Sequence, residues 1–219
     1  MFLNAHTHHI SNQSDVIDLM NQFPNEFNDE YQTYSLGIHP AYIKENEFEH
    51  DFKFLIEKSK QLNCLAIGEI GLDKLCETDF TLQIEVFEKQ LIYAEEIQKP
   101  VIIHSVRAYQ EILQIRKKLK LTIPFIFHGF NKNEQILQQI IAQNCFASFG
   151  KNLLYNKNLQ IIFAKLSANQ FFLENDASEI SIKEIYQFAA EIRNCTVEEL
   201  QLQQAKNWKN IFGYEVISI

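Results

Sequence analysis

The chain lacks paired cysteines. Cys64, Cys76, Cys145 and Cys195 are scattered and form no Cys-x-x-Cys. That excludes a cysteine-based zinc knuckle or redox dithiol and fits reduced thiols of the cytoplasm. No basic N-terminal region leads into an apolar stretch, so no secretory signal is expected. No apolar run is long enough to span a bilayer. Positive charge is scarce: 20 Lys and Arg stand against 28 Asp and Glu, a net charge of −8. This argues against broad, non-specific polyanion binding, but leaves room for a local site where metal ions supply the positive charge. Linkers, low-complexity tracts and internal repeats are also missing. The expectation is one cytoplasmic domain over residues 1–219, with no membrane association and no obligate protein partner.

What the chain does have is apolar residues, 46% against 22% charged, enough for a core without disulfides. Strands are expected at Phe2–Ala5, Thr33–Ile38, Cys64–Ile70, Val101–His104, Phe125–His128, Cys145–Phe149 and Gln170–Glu174. Several are continuous apolar runs, as in strands covered on both faces. Helical stripes alternate with them: Phe52, Leu55, Ile56 and Leu62; Phe80, Ile84, Phe87, Leu91 and Ala94; Ala108, Ile112, Ile115 and Leu119; Ile136, Leu137, Ile140 and Ile141. Ser181-Ile-Lys-Glu184 and Thr196-Val-Glu-Glu199 carry the capping-box pattern of helix starts. The β-α alternation implies a parallel sheet with right-handed crossovers. Seven strands fit an α/β chain folded as a distorted TIM (β/α) barrel with one strand missing or irregular. The alternative is an open doubly wound sheet, which gathers its ligands at one switch point.

Polar groups close the apolar runs. Five of the seven histidines, His6, His8, His39, His104 and His128, fall at or just past an expected strand end. That is the rim where barrel enzymes keep their chemistry. His6 and His8, two apart, share one face of an extended strand, and neutral imidazoles are common metal ligands. Glu69 interrupts the apolar run Ala66-Ile-Gly-Glu-Ile-Gly-Leu-Asp73. A carboxylate there is costly unless it binds a metal or pairs with a core arginine. Gly68 and Gly71 beside it suggest close backbone approach. His104 and His128 taken singly read as rim histidines; together they point to a metal. Asp176 closes Phe171-Phe-Leu-Glu-Asn-Asp176. It is the candidate for a ligand that also takes a proton from metal-bound water, with a helix N-cap as the competing reading.

In order along the chain, these residues resemble the TatD family of metal-dependent hydrolases. His6-Thr-His8 resembles its opening H-x-H, Gly37-Ile-His-Pro40 its G-x-H-P, and Gly68-Glu-Ile-Gly-Leu-Asp73 its glutamate motif. Lys99-Pro-Val-Ile-Ile-His104 and Phe127-His128 resemble its later histidine motifs. Leu173-Glu-Asn-Asp176 resembles L-E-T-D, and Asn207 to Gly213 its N-x-x-x-x-F-G ending. The resemblance implies two divalent ions of the Zn, Mn or Mg class. His6, His8, Glu69 and Asp176 would hold one; Glu69 would bridge to the second, held by His104 and His128. It implies a deoxyribonuclease, a 3′-5′ exonuclease working by metal-activated water, with Asp176 and Glu69 catalytic. His39 and Arg107 are the candidates for substrate contact; Arg107 would meet a phosphate, or else be an ordinary helix-start cation.

Some positions depart from the family. Asn4 stands where Asp is usual and Asn175 where Thr is usual; Lys74 replaces an aromatic and Ser178 a proline. The segment from Asp176 to the helix start at Ser181 is short, and such segments shape substrate access. The expected substrate is therefore DNA or a phosphorylated small molecule. The alternatives to the nuclease are a same-fold hydrolase of small phosphate esters or amides, and a barrel that has lost turnover.

Overall fold

In a computed structural model that describes residues 1–215, eight strands follow one another through the chain. They are β1 Phe2–Thr7, β2 Val16–Gln22, β3 Tyr34–Leu36, β4 Cys64–Asp73, β5 Val101–Val106, β6 Phe125–Phe127, β7 Phe146–Phe149 and β8 Phe171–Leu173. The helices are α1 Phe48–Lys58, α2 Phe80–Glu96, α3 Tyr109–Leu119, α4 Glu134–Ile141, α5 Asn152–Tyr155, α6 Lys157–Lys165, α7 Ile182–Arg193 and α8 Val197–Phe212. The strands keep chain order, β1 to β8, in one sheet of the (β/α)-barrel class. The strand missing from the sequence pattern is β2. Asp18, Asn21 and Gln22 break its apolar run and hide it. The distortion lies nearby: among the described residues no α-helix separates β1 from β2 or β2 from β3.

Two compact units divide the chain, Met1–Met20 with Phe127–Ile219, and Asn21–Ile126. In the first, β1 pairs in parallel with β2 from Phe2↔Val16 to Thr7↔Met20, and β7 pairs with β8. Beyond β8 the backbone returns to β1. The Asp176 amide donates to the His6 carbonyl (3.1 Å), and the His8 amide donates to the Asp176 carbonyl (3.3 Å). Tyr186 on α7 secures β1 from behind, its hydroxyl donating to the Leu3 carbonyl at 3.0 Å and accepting from the Leu3 amide at 3.2 Å. Ser181 caps α7, and Thr196 with Glu199 forms a complete capping box on α8.

In the second unit β3, β4 and β5 run parallel. Asp79 caps α2 by accepting from the Leu82 amide. Phe87, Leu91 and Ala94 of α2 are fully buried. Two glutamines on α2, seven residues apart and so on one helix face, hold the ends of two strands. Gln83 accepts from the Asp73 amide (2.8 Å) and donates to its carbonyl (3.0 Å). Gln90 does the same for Ile38, at 2.8 and 3.1 Å. The residues that follow or end these strands are thereby held in place. One expected core position is not core: Leu62 is 98% exposed, because α1 ends at Lys58 and the chain turns before reaching it.

Candidate metal centre

In the first unit three expected ligands converge. His6 lies within β1, His8 just past it, and Asp176 just past β8. The Nε2 atoms of His6 and His8 stand 3.6 and 3.5 Å from the same oxygen, Asp176 Oδ1. Four-coordinate bonds of about 2.1 Å place neighbouring donor atoms about 3.4 Å apart. The observed spacing is therefore that of donors around a shared ion rather than of a direct hydrogen bond. Burial alone would raise the Asp176 carboxyl, but the neighbouring imidazoles of His6, His128 and His8, His6 above all, outweigh it and bring it down to about 2.

Asp176 has a left-handed backbone, φ 54°, and the residue before it is anchored. The Asn175 amide donates to Asn4 Oδ1 (3.0 Å), and Asn4 Nδ2 donates to Asn175 Oδ1 (2.9 Å) and Asp18 Oδ1 (2.8 Å). The two departures from the family pattern, Asn4 and Asn175, thus face one another. Asn4 directs its amide to Asp18 and Asn175 rather than to a histidine of the cluster. His128, one residue beyond β6, has its ring centroid 4.3 Å from that of His6 and its Nδ1 3.7 Å from Glu174 Oε1. Glu174 is fully buried; Oε1 accepts from the Gly129 amide (2.5 Å), while Oε2 has no hydrogen-bond partner. A buried carboxylate oxygen left this way fits a cation-binding neighbourhood.

In the second unit His39, Glu69 and His104 converge. Glu69 Oε1 lies 2.8 Å from His104 Nδ1 and 3.7 Å from His39 Nε2. His39 Nδ1 accepts from the Ala41 amide at 3.1 Å, which leaves the proton of the neutral ring on Nε2, a donor facing Glu69 and open to a substrate oxygen. The other nitrogen of His104, Nε2, meets Asp73 Oδ2 at 3.1 Å. This carboxylate–imidazole pairing fixes the tautomer of a metal-ligating histidine and frees Nδ1. Burial pushes the Asp73 carboxyl up, but the Leu75 amide and His104 hold it below the ordinary range. Glu69 is 3% exposed and is met by Asn21, His39 and His104. The glycines beside Glu69 do mark close approach. A Cβ on Gly71 (φ 156°) would come within 1.9 Å of the His104 carbonyl oxygen.

Each group brings three nitrogen or oxygen atoms within 4.8 Å of one another, and imidazole with carboxylate suits zinc, manganese and similar ions. Arg107, the expected phosphate contact, is exposed on the turn between β5 and α3, with φ 56°. Two supporting residues, Asn21 and Asp73, carry no mark of their role in the sequence. Asn21 sits on the inconspicuous β2, and Asp73 ends the glutamate motif without a task assigned to it. The only signal for Asp73 is its place at the strand end after Gly71.

The profile of the family described as TatD related DNase matches residues 7–213. The chain is similar to an uncharacterized metal-dependent hydrolase of Haemophilus influenzae, 31% identical over 159 residues that cover 68% of this chain and 60% of that protein. It is also similar to a human protein described as a 3′-5′ RNA nuclease, 34% identical over 86 residues, 38% of this chain and 11% of that one. Among solved structures, a TatD homologue from Escherichia coli superposes with a TM-score of 0.83 at 20% identity, covering 97% of this chain and 98% of the other. At that identity the likeness establishes the fold.

Proposed function

The chain belongs to the TatD-related DNase family and is a metal-dependent hydrolase; from that premise we propose that it hydrolyses phosphodiester bonds at the ends of single-stranded DNA, in the 3′-to-5′ direction. The observation that carries the proposal is the pair of clusters, His6–His8–Asp176 and His39–Glu69–His104, whose members lie in or just past the C-terminal halves of strands. When bound, divalent ions lower the pKa of an attacking water and offset the charge on the phosphate oxygens.

The chain's own residues have separable tasks in this reading. His6, His8 and Asp176 would hold one ion. Glu69 and His104 would hold the second, and His128 would be a further ligand by the family pattern. Asp176 stays ionised and takes the proton of the attacking water. Asp73 keeps His104 in one tautomer, and Asn21 holds Glu69. Arg107 offers an exposed cation to a phosphate oxygen, and His39 Nε2 a donor to the substrate.

The test is incubation of metal-loaded protein with 5′-labelled single-stranded DNA. Stepwise shortening with Mg²⁺, Mn²⁺ or Zn²⁺, abolished by chelator and by Asp176→Asn, is the expected result. Absence of any released nucleotide with all three ions counts against it, and cleavage of RNA alone would move the substrate to RNA. A second reading, hydrolysis of small phosphate esters or amides, is favoured by the short passage from Asp176 to the Ser181 cap of α7. Fast turnover of chromogenic esters beside inert DNA would select it. Among the described residues no helix is long and apolar enough to cross a membrane.

A further inference from the structure

A cavity of about 170 Å³ opens beside His39 and is lined by Phe23, Pro24, Ile38, His39 and Tyr42 among others. Three rings define it. Phe23 and Tyr42 stand edge to face with centroids 5.0 Å apart, and His39 lies 5.1 Å from Tyr42 and 6.1 Å from Phe23. The His39 ring is fixed by the Ala41 amide on one edge, and its other edge faces the Glu69 carboxylate at 3.7 Å. A single imidazole therefore borders both the aromatic cavity and a candidate metal-binding carboxylate. Tyr42 is 55% exposed, so a large ring stands open to solvent beside two others, as ligand-binding apolar surface does.

The lining decides what kind of group fits. Its charged members are Lys44, Glu47 and Asp51, and Lys44 already pairs with Glu47 at 3.0 Å. The cavity is thus net acidic and disfavours a phosphate. Its volume is that of a site for one small planar ring system, since a cavity of about 150 Å³ holds benzene. Aromatic walls stack on uncharged π-faces, as in single-strand nucleic-acid binding.

We propose that this cavity is a base-stacking subsite, which takes the nucleobase of the nucleotide whose phosphate is attacked. This rests on the phosphodiesterase reading above and narrows it, because a small phosphate ester without a planar ring has nothing to place there.

The test uses the full-length, Mn²⁺-loaded protein and two short single-stranded oligonucleotides that differ only in whether the 3′-terminal residue carries a base. The wild type turns over the base-bearing oligonucleotide with a kcat/KM higher by about tenfold or more, mostly through KM. In Tyr42→Ala that ratio falls toward one, and Tyr42→Trp restores it. A ratio unchanged in Tyr42→Ala overturns the subsite. If the wild type cleaves neither oligonucleotide, the hydrolytic reading fails by itself. The subsite is then read by calorimetric titration with adenosine, an uncharged nucleoside. Saturable binding that Tyr42→Ala weakens about tenfold or more upholds it; no saturable binding by the wild type overturns it.

Discussion

Asn21 holds Glu69 at both ends: its side-chain carbonyl accepts from the Glu69 amide at 2.9 Å, and its Nδ2 donates to Glu69 Oε2 at 3.4 Å. Ser35 Oγ lies 3.5 Å from the same Asn21 carbonyl oxygen. The carboxylate's direction is therefore set by a residue on another strand. Removing such a support costs a metal site about 10- to 100-fold in affinity, and a buried amide left without its acceptor costs about 1–3 kcal/mol. Asn21→Ala is expected to lower both the affinity for Zn²⁺ or Mn²⁺ and the urea midpoint. Metal titration of the purified variant checks this, and wild-type affinity would show that Asn21 does not hold Glu69 for an ion.

Gly71 is irreplaceable for a reason of space. Its Cβ would collide with backbone, the His104 carbonyl, and backbone cannot rotate aside as a side chain can. Gly71→Ala is expected to cost well over about 1 kcal/mol, in the range of severe overpacking. Gly213→Ala is the comparison. Gly213 also has a positive φ, 64°, but nothing lies within 4 Å of where a Cβ would stand, so only the left-handed backbone cost of about 1–2 kcal/mol applies. Urea unfolding of both variants gives the order; Gly71→Ala proving the milder of the two would contradict the steric account.

Metal binding should be visible as stability. An ion held by folded His6, His8 and Asp176 raises the unfolding free energy by about 2.7 kcal/mol at about a hundred times its Kd. Wild-type Tm is expected to rise on adding Zn²⁺ or Mn²⁺ and to fall with chelator, and Asp176→Ala should flatten that response. Equal shifts in wild type and variant would remove Asp176 from the ligand set.

One pH effect lies away from the candidate centre. Burial raises the Glu95 carboxyl, but hydrogen bonds from the Thr122 hydroxyl and from the Ile123 and Thr122 amides outweigh it, so the carboxyl sits below its ordinary range. A depressed folded-state pKa adds stability that is complete above the unfolded value, about 4.3, and lost as pH falls through the folded one. Glu95→Gln is expected to be less stable than wild type at pH 7, with the gap closing below about pH 4. Urea midpoints across that range check it, and a gap constant with pH would show that charge is not the cause.

The fold is largely legible in the sequence because buried parallel strands are continuous apolar runs. Val101–Ile103 and Phe125–Phe127 need no partner to be recognised. β2 is not legible, because its polar residues serve groups elsewhere: Asp18 takes the Ser11 and Asn4 donors, and Asn21 takes Glu69. The metal-binding candidates stand out for the converse reason, since histidine after an apolar run is conspicuous. The residues that orient them do not. An asparagine or aspartate acquires its meaning only from a partner on another strand, as Asn21 does from Glu69 and Asp73 from His104. His39 reads from the sequence as a substrate contact, and its closeness to Glu69 and His104 depends on strand register that no local pattern reveals.

The backbone bonds that tie Asp176 to His6 and His8 also carry a consequence for biosynthesis. The two histidines are made before their carboxylate partner, which follows only after seven further strands. While those strands are being made, the imidazoles wait without the carboxylate that joins them in the folded chain. Closure of that long-range contact, among the slowest kinds to form, is the moment at which the candidate cation site first exists.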